Sequence, residues 1–222
     1  LYRISGNSAA APSYILATNR TVDMTFLDTI PNVFKSYSAC NKVITEFAMQ
    51  DYEAIAALRQ AALLPDSVRL QNFYSDTQYK EIDEALHINL GMGLDKLGRM
   101  KPSYLTEMFR NELLIQWLHY NEERSMETFF EKIAIQNNTP MYRYGRLTDM
   151  VYTFKGPDNT STLSYSDYQV YAKRNKEWVK RLRPHLAEGN AFITLNAVYL
   201  GGEDGLLAQL KAAGYRVKAV NK

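Results

Sequence analysis

One cysteine in 222 residues, Cys40, cannot close an intramolecular disulfide and leaves no second thiol for a zinc cluster. Cysteine usage therefore says nothing about compartment, and Cys40 reads as a small buried apolar residue. Histidine is nearly as scarce. His87, His119 and His185 are far apart, with no H-x-x-H or H-x-x-x-H spacing that would pair two of them as metal ligands, and each reads as an ordinary surface or half-buried residue. No stretch approaches the roughly 20 apolar residues that a bilayer crossing needs, and no signal peptide is visible. The chain opens on Leu1 instead of Met, so a leader removed upstream is the expectation. Excess charge is missing too: 26 basic residues against 24 acidic ones leave a formal +2, scattered along the chain. That excludes the basic stripe a phosphate backbone requires, so nucleic acid is not an expected partner.

What is present is an ordinary globular chain. Hydrophobic residues at 46% and charged residues at 23% suit a folded protein, and the length suits one large domain. The only basic cluster is Lys173, Arg174, Lys176, Lys180, Arg181 and Arg183, interrupted by Glu177, which reads as a solvated helix face.

Both ends of the chain read as α/β and the middle as helix. Tyr14-Ile15-Leu16 and Val43 to Phe47 are short β-branched or apolar runs that predict buried strands. Between them, Met24, Leu27, Ile30 and Phe34 recur at helical steps over Asp23 to Tyr37, predicting a strand-helix-strand unit. Helices follow over Asp51 to Leu64, from the Ser75/Gln78 capping box to about Asn89, from Pro102 to Tyr120, and from Ser125 to about Asn137. These four make a helical insertion over about 51–138, packed as a cap beside the sheet. A long helix from Tyr165 to Leu186 leads into Ala191-Phe192-Ile193-Thr194-Leu195, apolar enough to be buried on both faces. A helix from Asp204 to Ala213 and a last strand from Arg216 to Val220 end the chain. The expected fold is thus α/β, a mixed, mostly parallel sheet built from the N- and C-terminal segments.

In open α/β sheets ligands bind past the carboxyl ends of the strands, where loops and helix N-termini converge. That rule alone selects Asn19 and Arg20 after the first strand, Glu46 after the second, and Asn196 and Tyr199 after the late one. A carboxylate closing an apolar run needs a cation or donors nearby, and Arg20 is a candidate partner for Glu46. On the long helix, Tyr171, Trp178 and Leu182 mark the core-facing stripe, and Asn175 sits within it beside Arg174. An amide there is either a structural bolt or a site residue.

The opening Leu1-Tyr2-Arg3-Ile4-Ser5-Gly6-Asn7 with Pro12-Ser13-Tyr14-Ile15-Leu16 resembles the start of TraB/GumN proteins, in which a strand leads into G-x-x-H. The stretch from Glu188-Gly189-Asn190 through Leu200-Gly201-Gly202-Glu203-Asp204-Gly205 to Gly214-Tyr215-Arg216-Val217 resembles the family's C-terminal signature, which holds a second G-x-x-H. Arg174-Asn175 with Trp178 looks like the Arg-Asn pair and tryptophan of the preceding helix. The resemblance implies metal-dependent hydrolases or peptidases of the bacterial envelope, periplasmic or at the cell surface, related to Tiki proteases. This chain departs from the pattern at its chemical centre. The first motif reads Ala17-Thr18-Asn19-Arg20, the second Asn196-Ala197-Val198-Tyr199, and a Leu-Glu-Thr stretch aligned near Tyr144-Gly145-Arg146 lacks its glutamate. The expected metal ligands are therefore absent and no cofactor is expected.

The leading expectation is a catalytically degenerate family member that binds a small ligand, a peptide or a protein through the former metal cleft. Two alternatives stand beside it. One is a hydrolase of altered chemistry, with Glu46 as general base and Arg20, Arg174 or Tyr199 stabilising an anion. The other is a structural interaction protein that makes contact through its helical insertion. The sequence leaves the substrate and the oligomeric state open.

Overall fold

A computed structural model describes residues 1–46, 56, 59–119, 121–145 and 165–220. The chain divides into two compact units: residues 1–50, 121–146 and 164–222 form one, and residues 51–120 and 147–163 the other.

The first unit is built on a six-stranded mixed sheet, in keeping with the α/β expectation. Its strands are β1 (Tyr2–Ser5), β2 (Ser13–Thr18), β3 (Lys42–Thr45), β4 (Met141–Arg143), β5 (Ala191–Asn196) and β6 (Arg216–Ala219), in the order β4-β3-β5-β2-β1-β6. The four strands from β4 to β2 run parallel, while β1 pairs antiparallel with both β2 and β6. β5 lies between two parallel neighbours, which explains why its first five residues are all buried. Its side chains still alternate between two layers. Ile193 and Leu195 pack with Trp178, Leu182 and Leu186 of a long helix, whereas Phe192 packs on the opposite face with Val33, Met126 and Phe130.

The helices of this unit are α1 (Val33–Ser38), α5 (Met126–Gln136), α6 (Tyr165–Glu188) and α7 (Leu206–Ala212). α5 rests on the sheet, its Phe130 ring centred 4.6 Å from that of Phe192 and 5.0 Å from that of Tyr37. The second unit contains α2 (Asp76–Leu90), α3 (Leu94–Leu97) and α4 (Pro102–Leu118) around Leu64, Leu70, Leu86, Leu94, Leu97 and Leu105. The capping box read from Ser75 and Gln78 is present, and Gly91 ends α2 in the left-handed region at φ 66°.

Several local expectations need correction. The single helix predicted from Asp23 to Tyr37 is a 3₁₀ turn over Met24–Thr29 followed by the separate α1. Pro31 separates them: it has no N–H to donate and forces the preceding Ile30 out of the helical region, to φ −89° and ψ 112°. The two strands of the predicted strand-helix-strand unit, β2 and β3, run parallel with β5 between them. β1 and β4 are strands that the sequence pattern does not announce. Phe47, most of the helix predicted from Asp51, Tyr120, Arg146 and the side chain of Tyr171 lie outside the described residues.

Candidate functional site

Parallel pairing fixes where the strand ends come out. β2 and β5 are in register from Tyr14 opposite Phe192 to Thr18 opposite Asn196, and β3 is in register with β5 at Ile44 opposite Ile193. The residues that leave these three strands, Asn19 and Arg20, Glu46, and Asn196 to Tyr199, therefore share one edge of the sheet. The structure brings the sequence-selected residues together to that extent.

Two of them have local jobs. The Asn19 Oδ1 accepts from the backbone N–H and the hydroxyl of Thr21, both at 3.0 Å, and the Asn196 Oδ1 accepts from the Val198 N–H at 3.2 Å. Adjacent strands thus end in the same device, an asparagine that turns the chain by bonding the amide two residues on. Each turn sets the direction in which the next residues leave, Arg20 in one case and Tyr199 in the other.

The Arg20 loop is stitched to the start of α5. The Ser125 hydroxyl donates to the Arg20 carbonyl at 2.7 Å, and the Met126 N–H to the Val22 carbonyl at 2.9 Å. Next to them Arg124 grips Asp23 through Nε at 2.8 Å and Nη2 at 3.1 Å. That guanidinium, helped by the N–H and hydroxyl of Thr25, holds the Asp23 carboxyl well below the usual carboxylate range. Arg20 and Asn19 are exposed, whereas Glu46, Asn196 and Tyr199 are half-buried.

α6 supplies the buried part of the site. Arg174 is only 8% exposed, yet its guanidinium lies 4.2 Å from the centre of the Tyr199 ring and 4.6 Å from that of Trp178. The two rings meet edge-on, with centroids 5.3 Å apart. A cation against desolvated aromatic faces gains on the order of 2 kcal/mol. Tyr144 meets Trp178 on another side at 4.9 Å and donates its hydroxyl to the Thr194 carbonyl at 3.1 Å. Burial pushes the Tyr144 phenol well above its ordinary pKa, and the carboxylates of Glu46 and Glu127 raise it further while Arg174 opposes them. The Gly145 N–H donates to the Glu46 carbonyl at 3.1 Å, which anchors that residue's main chain.

Asn175 acts as a bolt. Its Nδ2 donates to the Asp204 carbonyl at 2.9 Å and to the Tyr199 carbonyl at 3.4 Å, tying α6 to the loop that follows β5. Its Oδ1 is buried without a hydrogen-bond partner. Asn175→Ala removes both of these bonds, so the sheet unit should lose about 1–3 kcal/mol in a urea titration. A loss under about 0.3 kcal/mol would mean that the bolt holds nothing.

Sequence reasoning had no signal for two contributors, Ser125 behind Arg20 and Asp204 behind Asn175; Tyr144 was marked only by the motif stretch aligned near it, not by its place joining β4 to α6. Among the described residues, no group of three His, Cys, Asp or Glu side chains is placed to hold a metal ion. No helix among them is long and apolar enough to cross a membrane. No curated protein and no solved structure matches the chain. The sequence profile described as the TraB/PrgY/gumN family matches residues 1–168 and 142–219. With both ends and the sheet edge between them covered by that match, the chain belongs to the TraB/PrgY/gumN family.

Proposed function

We propose that this chain is a catalytically degenerate member of its family that binds an anionic ligand, a small molecule or peptide bearing a carboxylate or phosphate, at the carboxyl edge of its sheet. The observation that carries the reading is the Arg174 guanidinium, nine-tenths buried and fixed against the Trp178 and Tyr199 rings. A guanidinium held in one orientation loses little freedom when it takes a planar oxyanion, which makes it a preorganised receptor. Arg20 adds a second cation at the same edge, and Glu46, its proposed partner, sets how much positive charge a ligand meets.

The donor set supports a site without metal. It contains one carboxylate, one phenol, two guanidinium groups and three asparagine oxygens, two of them already engaged in turns. A hydrolytic metal needs several nitrogen or oxygen ligands and an open position for water. Fixed guanidinium charges repel the cation that such ligands would have to hold. The bacterial envelope is the proposed location, following the resemblance of the two chain ends.

Elemental analysis and anion titration test the reading together. Purified protein should carry no stoichiometric zinc or manganese. Phosphate and short dicarboxylates should change the fluorescence of buried Trp178, and Arg174→Lys should weaken that binding about tenfold or more by removing the planar fork. Arg20→Met should weaken it less and, because Arg20 is exposed, should lower stability by no more than about 1 kcal/mol. Stoichiometric metal bound at Glu46, or anion affinity unchanged in Arg174→Lys, sinks the proposal.

A further inference from the structure

The basic cluster of α6 reads in the sequence as a solvated helix face, but the structure gives it a second wall. A groove of about 350 Å³ runs between α6 and α7, rimmed by Lys173, Lys176, Lys180 and Arg183 and floored in part by Val179 and Ala212. All four cations are exposed. Glu177, the one carboxylate lining the groove, is held by Lys180 at 2.6 Å. Four cations and one carboxylate give the groove a formal +3, more than the +2 of the whole chain, so everything outside it sums to −1. A face that is merely solvated mixes both signs at helical spacing. This one gathers four cations against a single carboxylate along the groove.

Spacing and chemistry narrow the occupant. Positions 173, 176, 180 and 183 follow steps of three and four residues, so the cations line roughly 15 Å of one helix flank at a rise of about 1.5 Å per residue. An extended peptide covers that length with four or five residues at about 3.3–3.6 Å each. On the other wall, Gln209 brings a carboxamide and the last turn of α7 ends beside Ala212 and Ala213. The apolar Val179, Ala212 and Ala213 in the lining suit a chain that carries aliphatic stems and main chain between its charges, not a polymer made only of anions. A flat lipid surface would leave the concavity unused.

We propose that the α6–α7 groove docks an extended acidic peptide segment of a partner protein, its carboxylates on the lysine and arginine rim and its main chain against the α7 wall. The groove does not depend on the anion site at the sheet edge, and its lysines take no part in that site.

Fluorescence anisotropy with a labelled peptide of about ten residues, glutamate at every second position, tests this on the full chain. Binding should be saturable and should weaken steeply as salt rises, because the contacts are exposed charges. A glutamine version of the peptide should bind about tenfold more weakly or worse. Lys176→Glu combined with Lys180→Glu should abolish binding, while Lys96→Glu on α3 should bind like the parent. Because the reversed lysines are exposed, the double variant should keep the parent's circular dichroism and thermal midpoint. The double variant with glutamine in place of glutamate supplies the same test without repulsion. The proposal fails if the glutamine peptide binds equally well or if the double variants bind normally. It also fails if the acidic peptide does not bind, whether or not phosphatidylserine vesicles do; capture of the vesicles alone would assign the surface to a membrane.

Discussion

Trp178→Ala should lower the stability of the sheet unit by about 3–5 kcal/mol, the range for removing a large buried aromatic side chain. Trp178 is fully buried and stands where the two halves of the candidate site meet the core. Tyr144 lies against one side of its ring, Tyr199 against another, and Arg174 over its face. Alanine would open a cavity beneath all three and leave a buried cation with one ring instead of two. Trp178→Phe keeps an aromatic face and should recover more than half of the loss. Urea unfolding followed by far-ultraviolet circular dichroism reads both variants. Fluorescence alone would mislead, because the second tryptophan, Trp117, is 76% exposed in the other unit. An alanine variant within about 1 kcal/mol of the parent would mean that the surrounding rings collapse into the space.

Gly205→Ala should have an effect of about 3 kcal/mol or more, through crowding instead of loss. Gly205 has an ordinary φ of −66°, so left-handed geometry is not the reason for glycine. The reason is space. A Cβ at this position would lie 2.0 Å from the Gly201 carbonyl oxygen and 2.4 Å from that of Leu200, both main-chain atoms that no rotamer change can move. Relief requires the loop from Leu200 to Asp204 to open, and Asp204 carries the carbonyl that receives the Asn175 bolt. The substitution should therefore disturb Tyr199 and Arg174 as well as start α7 badly. Gly201→Ala is the internal control, since a Cβ there meets nothing within 4 Å, and it should stay within about 0.5 kcal/mol. Thermal melts of the pair, followed by anion titration, separate the outcomes. Equal melting points for the two variants would show that the loop yields without strain.

The strands that carry the site could be read from the sequence because burial on both faces leaves a strong mark. Ala191 to Leu195 is nearly all apolar, and that follows from its place between two parallel neighbours. Once such strands are found, their carboxyl ends need no further information, which is why the position of Arg20, Glu46 and Tyr199 at one edge of the sheet is legible in the sequence. β4 left no such mark. It has three residues, Met141, Tyr142 and Arg143, two of them exposed, and it is a strand only because β3 lies beside it. The contacts that hold the site were equally hidden, because they join distant parts of the chain: Ser125 reaches Arg20 across 105 positions, and Asn175 reaches Asp204 across 29. Neither partner can be inferred from residue type, since in both cases the acceptor is a main-chain carbonyl. The broken helix after β2 is legible in the sequence through Pro31, whose missing N–H and restriction of Ile30 override the apolar periodicity around it.

The place of β5 in the middle of the sheet has a consequence for the order in which the molecule can assemble. β2 and β3 are made early but do not touch; the strand that separates them begins at Ala191, 149 positions after β3 begins at Lys42. Until that late segment has been synthesised, β2 and β3 each present an unsatisfied main-chain edge to other chains, the condition that invites misassociation. Insertion of β5 then closes two ladders in one step, so the sheet should form late and cooperatively, with the slow kinetics of long-range pairing. The edge that gathers Arg20, Glu46 and Tyr199 comes into being in that same step.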